Sequence, residues 1–284
     1  MDISSFVGAL INGVVAGSIY AVVAVGFSLI FGVAKVMFFT HGEIYMLGAV
    51  AGFFFLQKLG VPYPLAIIIV MIGIGLLGLL VERFLRPLRG QDLAILLVTI
   101  ALGMFIANSA MHIFGHTPIA VPTQVSGTIS IFGTTISLER VVIVLAAAAI
   151  VLALHFFIQR AKAGQAIRAV AQDREAAQLQ GIDINRSAAI VFFIACGTTG
   201  AAGVLIAPLY YVDVFLGTSA LMRTFIVVII GGLGSFPGAI AGGLFLGFIE
   251  SFGYALVGGL SHLISFAVVI VLLIVRPQGL LGRE

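Results

Sequence analysis

The chain has 284 residues, 61% hydrophobic and 9% charged, with mean hydropathy +1.25 and a formal net charge of +3. A soluble domain carries about 25% charged residues, so a water-soluble enzyme of this length is excluded, because its surface would be apolar. The single Cys196 excludes an intrachain disulfide and a cysteine-based metal cluster, and the few basic residues, lying between apolar runs, read as a topology signal and not as a nucleic-acid footprint.

A bilayer-spanning helix needs ~20 apolar residues. Apolar runs fall at roughly 6–34, 44–59, 63–81, 94–115, 140–158, 188–208, 224–257 and 262–275. They predict an all-α polytopic membrane protein with about eight or nine membrane elements, some broken or re-entrant. Continuous runs exclude the alternation of an outer-membrane barrel. The first 34 residues carry no Lys or Arg, so the first run reads as a membrane element and not as a signal peptide. Three basic segments follow: 82–93 with Arg83, Arg86 and Arg89; 159–187 with Arg160, Lys162, Arg168, Arg174 and Arg186; and the tail with Arg276 and Arg283. They hold ten of the fourteen basic residues, and 116–139 holds none. The positive-inside rule places them in the cytoplasm and 116–139 outside. A single tilted first span would put the N-terminus outside; two elements within 6–34 would put it inside.

Two apolar regions are interrupted. Residues 35–43 separate the first run from the second, and Gly231-Gly232-Leu233-Gly234-Ser235-Phe236-Pro237-Gly238 divides 224–257 into two spans or a re-entrant hairpin. Paired discontinuous helices point to a transporter's substrate route; the plainer reading of each is a loop at the membrane surface. Ionisable groups inside a membrane are costly and usually face a cavity, which singles out His41, Glu43 and Glu250, whereas Asp213 and Arg223 read as solvated outer charges. Glycines 13 and 17, 48 and 52, 238 and 242, and 243 and 247 have the spacing that lets helices approach closely. No Walker A loop or His-Glu-x-x-His occurs, Gly232-x-Gly234 does not continue to the dinucleotide spacing, and Leu233 keeps Gly-x-Ser from forming at Ser235, so no catalytic residue and no metal ligand is assigned.

The second basic segment carries a short helix at 174–180. Asp173 is its N-cap, since the carboxylate can accept from free backbone N–H groups. Glu175 suits the first turn, and Gly181 suits the left-handed position after the end. A rigid helix there can dock into a groove on a soluble partner, or merely link two spans; composition leaves both open.

Glu175-Ala176-Ala177 followed by Gly181 matches the Glu-Ala-Ala-x-x-x-Gly loop of bacterial ABC importer permeases. The chain resembles more closely the LivH-type permease of branched-chain amino-acid importers. The matching stretches are Leu10-Ile11-Asn12-Gly13 with Gly17-Ser18-Ile19-Tyr20-Ala21, His41-Gly42-Glu43 with Met46-Leu47-Gly48-Ala49, Arg168 to Asp173 with Gly181-Ile182, Gly231 to Ser235 with Pro237-Gly238, and Arg276-Pro277-Gln278-Gly279-Leu280. The resemblance implies one permease domain over 1–284 in the bacterial inner membrane, with a coupling segment at about 159–187. It implies a second related permease, two ATPase subunits that carry ATP and Mg, and a periplasmic binding protein; the chain itself would need no cofactor. Asp173, Arg174, Glu175, Ala176, Ala177, Leu179 and Gly181 would couple to an ATPase subunit. Asn12, Phe38, Thr40, His41, Glu43, Gly234 and Ser235 would line the route. The family usually has Asn-Phe-Ala before His-Gly-Glu, where this chain has Phe38-Phe39-Thr40. The exchange suits a more apolar cargo or simple repacking, and relatives of the pattern carry urea, amides or aromatic acids. An autonomous ion-coupled carrier is the alternative from another class; it would need acidic groups in its spans, chiefly Glu43 and Glu250.

Overall fold

The computed structural model describes residues 2–115, 117–131, 134–275, 279 and 281. Lipid offers no partner to backbone N–H and C=O groups, so apolar sequence must pair them internally, as helix. In chain order the elements are α1 (Ile3–Ala34), α2 (His41–Phe53), α3 (Tyr63–Leu85), α4 (Asp92–Phe114), β1 (Thr128–Ile131), β2 (Thr134–Ser137), α5 (Leu138–Arg160), α6 (Lys162–Gln172), α7 (Arg174–Leu179), α8 (Ile184–Ile206), α9 (Leu216–Gly231), α10 (Phe236–Val257) and α11 (Ser261–Val275). Six of them, α1, α3, α4, α5, α8 and α10, are long and apolar enough to cross a membrane. Helices α2, α9 and α11 are apolar but shorter, and a π-turn over Phe54–Lys58 prolongs α2. A short antiparallel hairpin β1–β2, with Ile129 opposite Ile136, lies in the connection between α4 and α5 of this all-α membrane fold. Strand β1 alternates Thr, Ile, Ser, Ile with period two, whereas β2 carries a single apolar residue, Ile136.

Contacts sort the connections into two ends. At one end the Thr134 hydroxyl donates to the Ser4 carbonyl at 3.1 Å, the Tyr63 hydroxyl to the Leu205 carbonyl at 3.4 Å, and Ile119 bridges Val212. The Phe6 and Phe252 rings meet there, 5.3 Å apart. At the other end Arg89 bonds both Glu82 and Asn185, and α6 lies beside α1. The basic segments 82–93 and 159–187 therefore share one end and 116–139 occupies the other, the pattern the charges require. The first apolar run is one helix of 32 residues, about 48 Å long, so its start lies at the hairpin end. The basic residues of the tail, Arg276 and Arg283, lie outside the described residues. Gly279 and Leu281 are described: the Leu281 N–H reaches the Gly231 carbonyl at 3.3 Å, at the basic end.

Helices α1 and α8 form the centre. Their most apolar stretches are 72% and 78% buried, against 22–28% for α3, α4, α5 and α10, whose outer faces are left for lipid or other chains. Small residues bring the central helices together. Gly13 and Gly17 of α1 face Phe248 and Leu244 of α10, while Gly243 and Gly247 face Ala21 and Gly17 in return. Gly48 and Gly52 set α2 against Gly200 and Val204 of α8, and Gly238 and Gly242 set α10 against Gly231 and Val227 of α9. All four glycine pairs seen in the sequence thus lie at helix contacts. In lipid, where apolar burial gives little drive for association, such close packing supplies the attraction.

Candidate functional site: two helix breaks and a short capped helix

The first break is shorter than its sequence suggested. Helix α1 ends at Lys35 in the left-handed conformation (φ 56°), an extended stretch follows, and α2 begins at His41. This start stands at the level of helix interiors. The His41 Nε2 lies 3.0 Å from the Val23 carbonyl of α1 and 3.0 Å from the Thr199 hydroxyl of α8. A hydrogen bond to the Val23 carbonyl requires the proton on Nε2, whereas the Thr199 hydroxyl can donate to Nε2 only in the other tautomer. His41 is 0% exposed. The Thr40 hydroxyl donates to the Thr99 carbonyl of α4 at 2.6 Å. Phe38 is also buried, with its ring 5.3 Å from Phe192 and 6.1 Å from His41, both edge-on. The Phe38 phenyl thus fills the helix core. Glu43 differs from its neighbours. It is 8% exposed, and its Oε2 is buried with no hydrogen-bond partner.

The second break joins α9 to α10 through Gly232 and Gly234, at φ 98° and 79°. Both values are readily adopted only by glycine. Ser235 then caps α10: its hydroxyl accepts from the Gly238 N–H at 3.1 Å, and Pro237 sits in the first turn. The two breaks are neighbours. Gly234 packs on Gly32 near the end of α1, and Phe39 in the first connector meets Phe225 of α9 at 5.1 Å between ring centroids. Thr40 and His41 do not face Ser235, however. They turn toward α4, α1 and α8, and the Ser235 hydroxyl is committed to its own helix. Asn12 stands apart from both breaks. It accepts from Arg140 beside a cavity of about 110 Å³ at the hairpin end, lined also by Ile19 and Tyr210.

Arg223 corrects the sequence reading. It is not a solvated outer charge: its Nε lies 3.1 Å from Glu250 Oε1, and its guanidinium stands 5.7 Å over the Tyr20 ring. The Tyr20 hydroxyl donates to Glu250 Oε2 at 2.6 Å. This Arg–Glu–Tyr group ties α9, α10 and α1 together. A sequence signal for it existed. Once 231–238 is read as the bend of an antiparallel hairpin, the register of Gly231 on Gly238 and Val227 on Gly242 sets Arg223 within one helical turn of Glu250. Asp213 is half-buried and accepts from the Phe215 N–H at 2.9 Å.

The short helix α7 forms as its end signals require. The Asp173 carboxylate accepts from the N–H groups of Glu175 and Ala176 at 2.9 and 3.0 Å. At the other end the Gly181 N–H reaches the Gln178 carbonyl and the Ile182 N–H reaches Ala177, at 3.0 and 3.1 Å. These two bonds make a Schellman motif, with Gly181 at φ 81°. Arg174, Glu175 and Leu179 are exposed, Leu179 at 89%, whereas Ala177 is only 4% exposed and packs into the chain's own core. Ala177 therefore seats α7 on the body, and its neighbours face outward. Arg89 bonds Glu82 at the end of α3 and Asn185 at the start of α8, fastening the two spans to each other at the basic end. Burial draws the Arg89 guanidinium below the usual arginine value, with Glu82 opposing the shift.

The architecture is that of a multi-pass helical membrane permease: discontinuous helices meet at its centre, and one capped helix projects from its basic end. The family model for the permease component of branched-chain amino acid transport systems matches residues 9–273, and the chain belongs to this family. It is 32% identical to the high-affinity branched-chain amino acid transport system permease protein BraD of Pseudomonas aeruginosa, over 99% of this chain and 97% of that protein. It is 32% identical to LivH of Escherichia coli K12, over 98% and 96%, and 24% identical to a probable LivH of Methanocaldococcus jannaschii, over 96% and 91%. No solved structure is a significant match.

Proposed function

We propose that this chain is the membrane pathway subunit of an ATP-driven importer for branched-chain or closely related amino acids. The near-full-length match to permeases of that named transport system carries the reading. Hydrolysis belongs to two separate ATPase subunits with their ATP and Mg, since the chain has no phosphate-binding loop. A second related permease completes the pathway, and a periplasmic binding protein delivers cargo to the hairpin end, with the whole complex in the bacterial inner membrane. Helix α7 docks on an ATPase subunit through Arg174, Glu175 and Leu179. Closure of the ATPases displaces it, and α6 together with the Arg89 link passes the displacement to α3 and α8. The neighbouring breaks between α1 and α2 and between α9 and α10 are where the helices yield, because short backbone segments can change φ and ψ without breaking helix hydrogen bonds. An ion-coupled carrier would have to rely on Glu43 alone, because Glu250 is already engaged by Arg223 and Tyr20.

The test is uptake into proteoliposomes. The complex containing this chain, supplied with its binding protein and internal ATP, should accumulate leucine, isoleucine or valine, and should stop when ATP is withheld. Uptake that persists without ATP and follows an ion gradient would overturn the reading. ATP-driven uptake of urea, amides or aromatic acids alone would keep the machinery and change the cargo.

A further inference from the structure

Glu43 is an anomaly that the fold does not resolve. It lies in the first turn of α2, between α4 and α9, with Gly103 and Gly217 as neighbours. A Cβ at Gly217 would stand 2.5 Å from Oε2, so bare backbone covers the carboxylate on that side. No ion pair to Glu43 exists among the described residues, and Oε2 is buried without a hydrogen bond. The cations inside the helical body are committed elsewhere. Arg223 belongs to Glu250 and Tyr20, Arg140 bonds Asn12, and Lys35 stands 6.0 Å over the Phe31 ring. A second group in the same turn is also unmatched. Helix α2 has no side-chain cap, and the N–H groups of Gly42 and Glu43 find no acceptor among the described residues.

A carboxyl and a helix N-terminus within one turn present complementary groups side by side: an acid that ionises when a cation pairs it, and the partial positive charge of free N–H groups. The complementary ligand carries an ammonium and a carboxylate on neighbouring atoms. The geometry points to the first turn of α2 as a transient station for the α-amino-acid group of the cargo, with Glu43 taking its ammonium and the Gly42 and Glu43 N–H groups facing its carboxylate. This rests on the proposed transport of amino acids and adds where the common part of every such cargo is held. Movement of the start of α9, which carries Gly217, opens and closes the station. The contact recognises the backbone that all amino acids share, so side-chain choice stays with the binding protein. A lone carboxylate among apolar helices is unfavourable until it is paired, and a passing ammonium pairs it without leaving a permanent ion pair to slow release.

The experiment uses the reconstituted complex with its binding protein and compares wild type, Glu43→Gln and Glu43→Asp. Uptake of leucine, binding-protein-stimulated ATP hydrolysis and subunit assembly are measured together. Glu43→Gln should assemble and hydrolyse ATP at near wild-type rates yet lose about tenfold or more in uptake, the equivalent of one weak charged contact, and Glu43→Asp should regain part of it. Wild-type uptake by Glu43→Gln overturns the station. Parallel loss of assembly, hydrolysis and uptake in both variants also overturns it, assigning Glu43 to packing or to a cation on the second permease. A wild-type complex that carries no amino acid overturns the station and the transport reading together.

Discussion

Gly181 offers a perturbation whose cause can be isolated. Its φ is 81°, and an ideal Cβ placed there meets nothing within 4 Å. A side chain at 181 therefore collides with no neighbour, and any penalty comes from backbone conformation alone. An L-residue held in the left-handed region costs roughly 1–2 kcal/mol, which corresponds to about a 5–30-fold loss in the population of the native turn. Asn adopts this region more readily than other non-glycine residues, and β-branched Val least readily. Activity should fall in the order Gly, Asn, Ala, Val. If α7 couples the pathway to the ATPases, Gly181→Val should lower uptake and cargo-stimulated hydrolysis together by about an order of magnitude, because the Schellman bonds that aim the helix are lost. Gly181→Asn should stay within about a factor of three of wild type. The assay is uptake and hydrolysis in proteoliposomes, with assembly checked by pull-down. A Gly181→Val complex that transports normally would show that this segment is only a linker. An Asn variant as damaged as the Val variant would show that the conformational cause is wrong.

Other expectations follow from the packing. Gly247→Val should destabilise the chain by about 1–3 kcal/mol, the usual cost of overpacking, because a Cβ there would stand 2.4 Å from the Gly17 nitrogen. Gly73→Ala, with open space around its Cβ, should be neutral or gain up to ~1 kcal/mol; thermal unfolding in detergent reads both, and equal effects would contradict the α1–α10 contact. Arg223→Leu should destabilise by up to about 3 kcal/mol, the lower end for a buried pair, since the two side chains keep 28% and 16% exposure. The double variant with Glu250→Leu should recover part of the loss, and a double variant worse than the sum of the singles would refute the pairing. A cysteine at Thr128 in a Cys196→Ala background should react with impermeant maleimide from outside only. Cys196 itself, 0% exposed, should not react in the folded protein.

Most of the fold is legible in the sequence because the bilayer permits so few solutions. A run of apolar residues must be helix, and a cluster of arginines fixes its side. The short helix α7 is legible for a different reason: Asp173 and Gly181 satisfy the two sets of orphan backbone groups that every helix leaves at its ends, and those needs are local. The hairpin β1–β2 is carried by a weaker signal, one four-residue alternation at Thr128–Ile131 in a polar segment, and nothing local states that Thr134 will meet Ser4. Ala177 shows the limit within one short helix. Its small size permits close approach to something, and the sequence does not say whether that is a partner or the chain's own core. The answer depends on how α6 lies across the spans, with Gly164, Ile167 and Val170 turned inward.

Glu43 and Glu250 carry that limit to its consequence. Each is a single acidic residue in an apolar stretch, and the same electrostatic penalty applies to both. Local pattern cannot separate them. Glu250 is answered by Arg223, which lies across the bend of one helical hairpin, so the register of that hairpin alone decides that the two charges meet. Glu43 stands beside glycines of two different helices, α4 and α9, and its surroundings offer backbone where Glu250 is offered a guanidinium and a phenol. The first arrangement consumes its charge within the chain and stiffens the contact among α1, α9 and α10. The second leaves the charge to be met by something that comes and goes. In a pathway subunit these are the two uses a membrane-buried carboxylate can have, and only the pairing in three dimensions distinguishes the brace from the station.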